Sequence, residues 1–276
     1  MVRALRESVL PYVGTWLATF RSCWALRMEF LISIVVAFLI AVIMRSLWLA
    51  IHSASETVQT AFTDREMVSY VVMSQIINLA RIGHTNRRIV YGAMSRIARG
   101  QVAMDLIRPQ VFQLTRYAEW LAVFTFDALV VGLPLWLVFR LVGWIPNPAS
   151  PVHGILFIVS LAAAWLVMSG IHYLIVVIAF RSTNVFGIQM ARVALQEVLG
   201  GSLIPIALLP GALLAIASVL PFQALVFTPV WIYLGRFSGA DLARALLVQW
   251  GWAALLAVAG MLIWAYVRPR VVVFGG

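Results

Sequence analysis

Residues 30–51 read FLISIVVAFLIAVIMRSLWLAI, an apolar run broken only by Arg45 near its far end. About 20 such residues wound as a helix cover the roughly 30 Å of a bilayer's hydrocarbon, and a helix satisfies all its own backbone groups there. The stretch reads as a membrane span, and the composition agrees. Of 276 residues, 63% are hydrophobic and only 11% are charged, with a mean hydropathy of +0.98. Soluble domains carry about 25% charged residues, so a cytosolic enzyme or an extracellular module is excluded.

Five more spans are predicted downstream. Residues 67–82 make a short, polar second span carrying Ser69, Ser74, Gln75 and Asn78. The third covers roughly 117–139, the fourth 153–180, the fifth about 185–208 and the sixth about 243–267. Between the last two, Gly200, Gly201, Pro205, Pro210, Gly211, Pro221 and Pro229 break an otherwise apolar run. Backbone freed by such residues must be buried in protein or line a cavity. This predicts a pair of short, half-buried helices in an outer re-entrant segment, 209–240. Upstream, residues 1–29 mix Arg3, Arg6, Arg21 and Arg27 with Trp16, Phe20 and Trp24 and lack a cleavable signal pattern. They read as an interfacial segment, with Pro11 splitting or bending it. The fold class is an all-α membrane protein, a single transmembrane domain over 1–276 with six transmembrane helices.

The net charge of +10 comes from twenty basic residues, all of them Arg. With no Lys there is no Walker phosphate loop and no Schiff-base chemistry. One cysteine, Cys23, allows neither an internal disulfide nor a thiolate metal site. In so apolar a chain the basic balance points to membrane lipids, not nucleic acid. Fourteen Arg fall on one side of the six-span topology: 3, 6, 21, 27, 81, 87, 88, 96, 99, 108, 116, 181, 268 and 270. Five (45, 65, 140, 236 and 244) fall on or near the other side, and Arg192 lies within the fifth span. The positive-inside rule then puts both termini in the cytoplasm. The chain has no evident internal repeat, which argues against a carrier built from inverted halves.

Catalysis needs converging titratable groups, and the four histidines are scattered with no zinc or nucleophile motif nearby. No catalytic or metal site is expected. Asp127, in the third span, falls at a depth similar to that of His172 in the fourth. The two form either a proton- or substrate-linked pair or a polar clasp between helices. Gln189, Arg192 and Gln196 recur on one face of the fifth span, which fits a subunit interface or an aqueous path. Residues 81–109, RIGHTNRRIVYGAMSRIARGQVAMDLIRP, form a basic loop much longer than a connection requires. A short helix at Gln101–Ile107 follows Gly100, and Arg108-Pro109 stops it. It exposes Val102, Leu106 and Ile107 beside Asp105, as a knob for a soluble partner or as part of an ordinary solvated loop.

The stretch RGQVAMDLIRP (99–109) resembles the Arg-Gly-x-x-Asp-x-Leu-x-x-Arg-Pro type signature of ABC-2 type ATP-binding-cassette exporter permeases, with Met104 altering the spacing around Asp105. Residues 200–235, GGSLIPIALLPGALLAIASVLPFQALVFTPVWIYLG, are similar to the segment between spans five and six of such permeases. The VVVFGG tail (271–276) resembles the short Gly-Gly ending of an uncharacterised branch. The resemblance implies an N-terminal interfacial helix, six spans, and a cytoplasmic coupling helix between spans two and three within 83–110. It implies two re-entrant helices before the last span. It also implies a bacterial inner-membrane permease that pairs with an identical or homologous permease and with two ATPase subunits, which bind the ATP and Mg. Arg99, Gln101, Val102, Asp105, Leu106, Ile107 and Arg108 would then couple to the ATPase. Gln189, Arg192 and Gln196, with Asp127 and His172, would belong to the translocation path or the permease interface. The alternative is an ion- or proton-coupled carrier or channel that works without ATP.

Overall fold

The structure, a computed structural model, describes residues 2–54, 62–85, 91–107, 110–182 and 185–270, and every regular element among them is helical. Arg108 and the 271–276 tail lie outside the described residues. Helix α1 (Val2–Cys23) runs through Pro11 as one helix, so the expected split is not made. Proline removes one backbone donor there, and the Thr15 hydroxyl donates to the Pro11 carbonyl at 2.9 Å. α1 packs along α6, where Phe20 and Trp24 meet Phe126 edge-on at 5.4 and 5.2 Å.

Among the described residues, four stretches are long and apolar enough to cross a bilayer: Ile34–Ala54, Phe112–Leu141, Pro151–Ala179 and Gly239–Val267. The first lies in α2 (Arg27–Ala54), and the last two are α8 and α12. The second joins α6 (Phe112–Asp127), a π-turn at Ala128–Gly132, and α7 (Leu133–Leu141). The cause of the widened turn is Pro134 at the start of α7. It has no N–H for the carbonyl four residues back, so the ladder widens and continues.

The predicted second span falls on α3 (Asp64–Thr85), which is not one of these four apolar stretches and whose residues from Met67 to Ile76 are buried on every face. α2, α6, α7 and α11 surround it. A helix walled by protein can carry Ser69, Ser74, Gln75 and Asn78 without exposing them to lipid, which is why it is polar. The predicted fifth span is shorter than expected. α9 (Phe186–Leu199) has 14 residues, about 21 Å of helix. Gly200 and Gly201, the latter at φ +79°, end it, and only a 3₁₀ turn at Ile206–Leu208 follows. Beyond lie α10 (Gly211–Val219), exposed except at Ala217, and α11 (Phe227–Tyr233), buried against α8. Both lie within 209–240, one exposed and one buried where a half-buried pair was expected.

α3 starts with a reciprocal cap. The Thr63 N–H donates to Glu66 Oε2 at 3.0 Å, while the Glu66 N–H donates back to the Thr63 hydroxyl at 3.4 Å. Arg236, just past α11, reaches the same Glu66 oxygen at 2.6 Å. Partial burial pushes the Glu66 carboxyl up, but the hydrogen bonds from Thr63 and the Arg236 guanidinium outweigh it and hold it below the usual carboxylate range. A depressed folded value means the contact stabilises above the unfolded value and is lost as pH falls through the folded one. Glu66→Gln should therefore melt below wild type at pH 7, with the gap closing by about pH 3 in a detergent thermal-shift series.

Candidate functional site

Two short helices of the predicted coupling segment pack against α6, α8 and α12. α4 (Gly92–Ala98) closes at Gly100, whose φ of +71° lets the chain reverse and start α5 (Val102–Ile107). The Gly100 N–H bonds the Ile97 carbonyl at 3.1 Å, and the Arg99 N–H bonds the Ser95 carbonyl at 3.1 Å. The Arg99 guanidinium folds back to the Ser95 hydroxyl at 2.6 Å. A charge cluster ties α5 to α6. Arg116, 3% exposed, reaches Asp105 Oδ2 at 3.2 Å and Glu119 Oε2 at 2.9 Å. Arg96 adds contacts to the same two carboxylates at 3.5 and 3.6 Å.

This strapping decides which face of α5 points out. Val102 is buried in an aromatic core with Phe112, Tyr117, Trp120 and Tyr173, and Leu106 packs against that core. Asp105 faces the Arg pair. The outward stripe is Gln101, Met104 and Ile107, spaced by three, with Met104 65% and Ile107 78% exposed. Val102 and Leu106, read from sequence as parts of an exposed knob, instead anchor it. Met104, which looked like a departure from the signature, sits at the centre of the exposed face. Arg96 and Arg116 were legible only as charge, because their role depends on two carboxylates that folding brings near.

The polar stripe of α9 turns inward. Gln189, Arg192 and Gln196 are buried within the chain, and the Arg192 guanidinium donates to Gln189 Oε1 at 3.2 Å, Gln196 Oε1 at 2.5 Å and Met168 Sδ at 3.6 Å. The arginine is solvated by amides three residues before and four after it, on its own face. The side of α9 that remains open is apolar, with Phe186, Ile188, Met190, Leu195 and Val198.

Asp127 and His172 are both buried but sit at different levels. His172 packs edge-on against Trp120 at 5.9 Å between ring centres. Asp127 lies seven residues further along α6, about 10 Å of rise. His172 also lines a cavity of about 20 Å³ with Trp120, Phe124, Trp165 and Ser169, space for about one water.

The structure assembles one polar site that sequence did not single out. α3 presents Tyr70, Ser74 and Asn78 at four-residue spacing, with Gln75 beside them. The Tyr70 hydroxyl donates to the Gly201 carbonyl at 2.6 Å. Gln75 Nε2 and the Ser74 hydroxyl donate to the Ser202 carbonyl at 2.9 and 3.4 Å. Asn78 Nδ2 donates to Glu197 Oε2 at 3.0 Å, and the Ser202 hydroxyl reaches the same oxygen at 2.7 Å. Elsewhere in the break, Phe227 N–H bonds the Gly200 carbonyl at 3.2 Å, and Gln249 of α12 bonds the Ala224 carbonyl at 2.7 Å. The carbonyls freed where α9 stops are thus satisfied by protein, as a non-aqueous interior requires. Glu197 joins Asp127 as an acid within the bundle's helices, held by Asn78 of α3 and by Ser202 just beyond α9. The signal available in sequence was the polar, four-spaced character of the second span.

Four long apolar helices and a protein-walled polar helix define a multi-pass membrane protein. Residues 48–270 match the family described as ABC-2 family transporter protein, and the chain belongs to that family as a transmembrane permease of the ABC transporter type. No curated protein and no solved structure matches the chain.

Proposed function

We propose that the chain is the passive membrane half of an ATP-driven exporter in a bacterial inner membrane. With α3 and α9 added to the four long apolar helices there would be six spans and both termini on one side, and the Arg asymmetry supports the cytoplasm as that side. A second permease, identical or homologous, completes the path, and two separate ATPase subunits bind ATP and Mg and supply the energy. The observation that carries this reading is α5. Its Gln101–Met104–Ile107 face is exposed, while Asp105 and the Arg96 and Arg116 guanidinium groups fix its base. A short helix held this firmly transmits a push without bending, and its apolar tip suits a cleft on a soluble partner. ATP binding would close the ATPases, displace α5 and shift the spans between two access states.

Ile107→Glu puts a charge where an apolar anchor meets the partner. Because Ile107 is 78% exposed, folding should be unaffected. ATPase binding should weaken at least about thirtyfold, the loss expected of an interface anchor, and ATP-driven export should fall to background. ATPase copurification at the wild-type level would overturn the reading. Transport by the purified chain alone, in liposomes under an ion gradient, would favour the carrier alternative.

A further inference from the structure

We propose that Tyr70, Ser74, Gln75 and Asn78 are positioning residues that fix the outer break of α9 to α3, so that displacement of α5 reaches that break as the motion of one rigid body. The inference rests on the reading of an externally powered permease and names the part of the fold that carries its stroke.

Four observations converge on α3. It is continuous from Asp64 to Thr85, with no glycine or proline before Gly83, and protein surrounds its middle. It packs along α6, to which the Arg116–Asp105 contact straps α5. Near its Asp64 end, Glu66 holds Arg236 at 2.6 Å, just beyond the re-entrant helices. Between these ends, the four polar residues hold Gly201, Ser202 and Glu197 through hydrogen bonds of 2.6 to 3.4 Å.

α9, by contrast, has little hold of its own. Of its 14 residues Gln189, Arg192, Gln196 and Leu199 are buried, Val193 and Glu197 are half-buried, and the other eight are exposed. A peripheral helix whose end is tied to a central rod follows the rod. The tie is specific, since side-chain donors of α3 meet the Gly201 and Ser202 carbonyls just past the end of α9, where no helix continues to bond them. A Cβ at Gly201 would sit 2.6 Å from the Tyr70 hydroxyl, so the rod and the break are in direct contact.

The test uses the permease purified and reconstituted with its ATPase partner, with Cys23→Ala as background. Tyr70→Phe with Gln75→Leu removes two ties and keeps most of the volume. ATP hydrolysis should stay within about twofold of wild type while export falls about tenfold, the mark of lost coupling and not of lost folding. In a second arm, Glu66→Cys with Arg236→Cys is linked by a short bifunctional thiol reagent. Both positions are about a third exposed. Export by the linked protein should match that of the unlinked one, because a rigid body loses nothing when its parts are joined. Wild-type export by the double variant, or arrest of export by the link, would overturn the proposal alone. If the first variant fails to fold, the second arm still decides. A wild-type permease that recruits no ATPase would overturn the functional reading and the role of these ties with it.

Discussion

Arg116→Ala should destabilise the α5–α6 end by about 3 kcal/mol and release α5 from the bundle, because it leaves two carboxylates without their main counter-charge. Asp105 and Glu119 are 13% and 23% exposed, and Arg116 contacts both at 3.2 and 2.9 Å. Arg96 cannot replace it, since it is 35% exposed and sits at 3.5 and 3.6 Å from the same oxygens. The remaining access to water keeps the loss toward the low end of that known for broken buried pairs. Arg116→Lys should recover little, because one ammonium cannot present two nitrogens to two carboxylates as the planar guanidinium does. The measurement is detergent thermal unfolding together with proteolysis near residues 99–107. Equal melting of Arg116→Ala and wild type would remove the strap from this account.

Gly201→Ala should be comparably damaging for an unrelated reason. The backbone there has φ +79°, where an L-residue with a Cβ costs about 1–2 kcal/mol. The added carbon would meet the Tyr70 hydroxyl at 2.6 Å, with Ile206 Cγ1 and Phe227 Cβ each at 3.1 Å. Overpacking of this kind costs about 1–3 kcal/mol more, for a total of roughly 2–5 kcal/mol. Tyr70→Phe in the Gly201→Ala background should recover part of the loss, because it removes the atom struck hardest. Folded yield and melting temperature of the two variants decide it. Additive losses would show that Tyr70 and Gly201 do not touch.

The sequence by itself determined the class. An apolar run such as 30–51 has few fates, because hydrocarbon forces a segment to satisfy its own backbone whatever its neighbours are. Likewise, the break after α9 was legible at Gly200, Gly201 and Pro205, and the short α5 between Gly100 and Pro109, since glycine and proline act through their own backbone. The tertiary structure alone decided which way polar side chains point. Periodicity placed Gln189, Arg192 and Gln196 on one face, yet whether that face looks inward or outward depends on what α9 packs against. The same holds for Val102 and Leu106, which anchor α5, and for Met104, which is left outside. Glu197 reads only as a polar residue carried by an apolar stretch until folding brings Asn78, 119 positions away, to its carboxylate. Backbone preference is local and can be read along the chain, whereas burial and pairing belong to surfaces that exist only after distant segments meet.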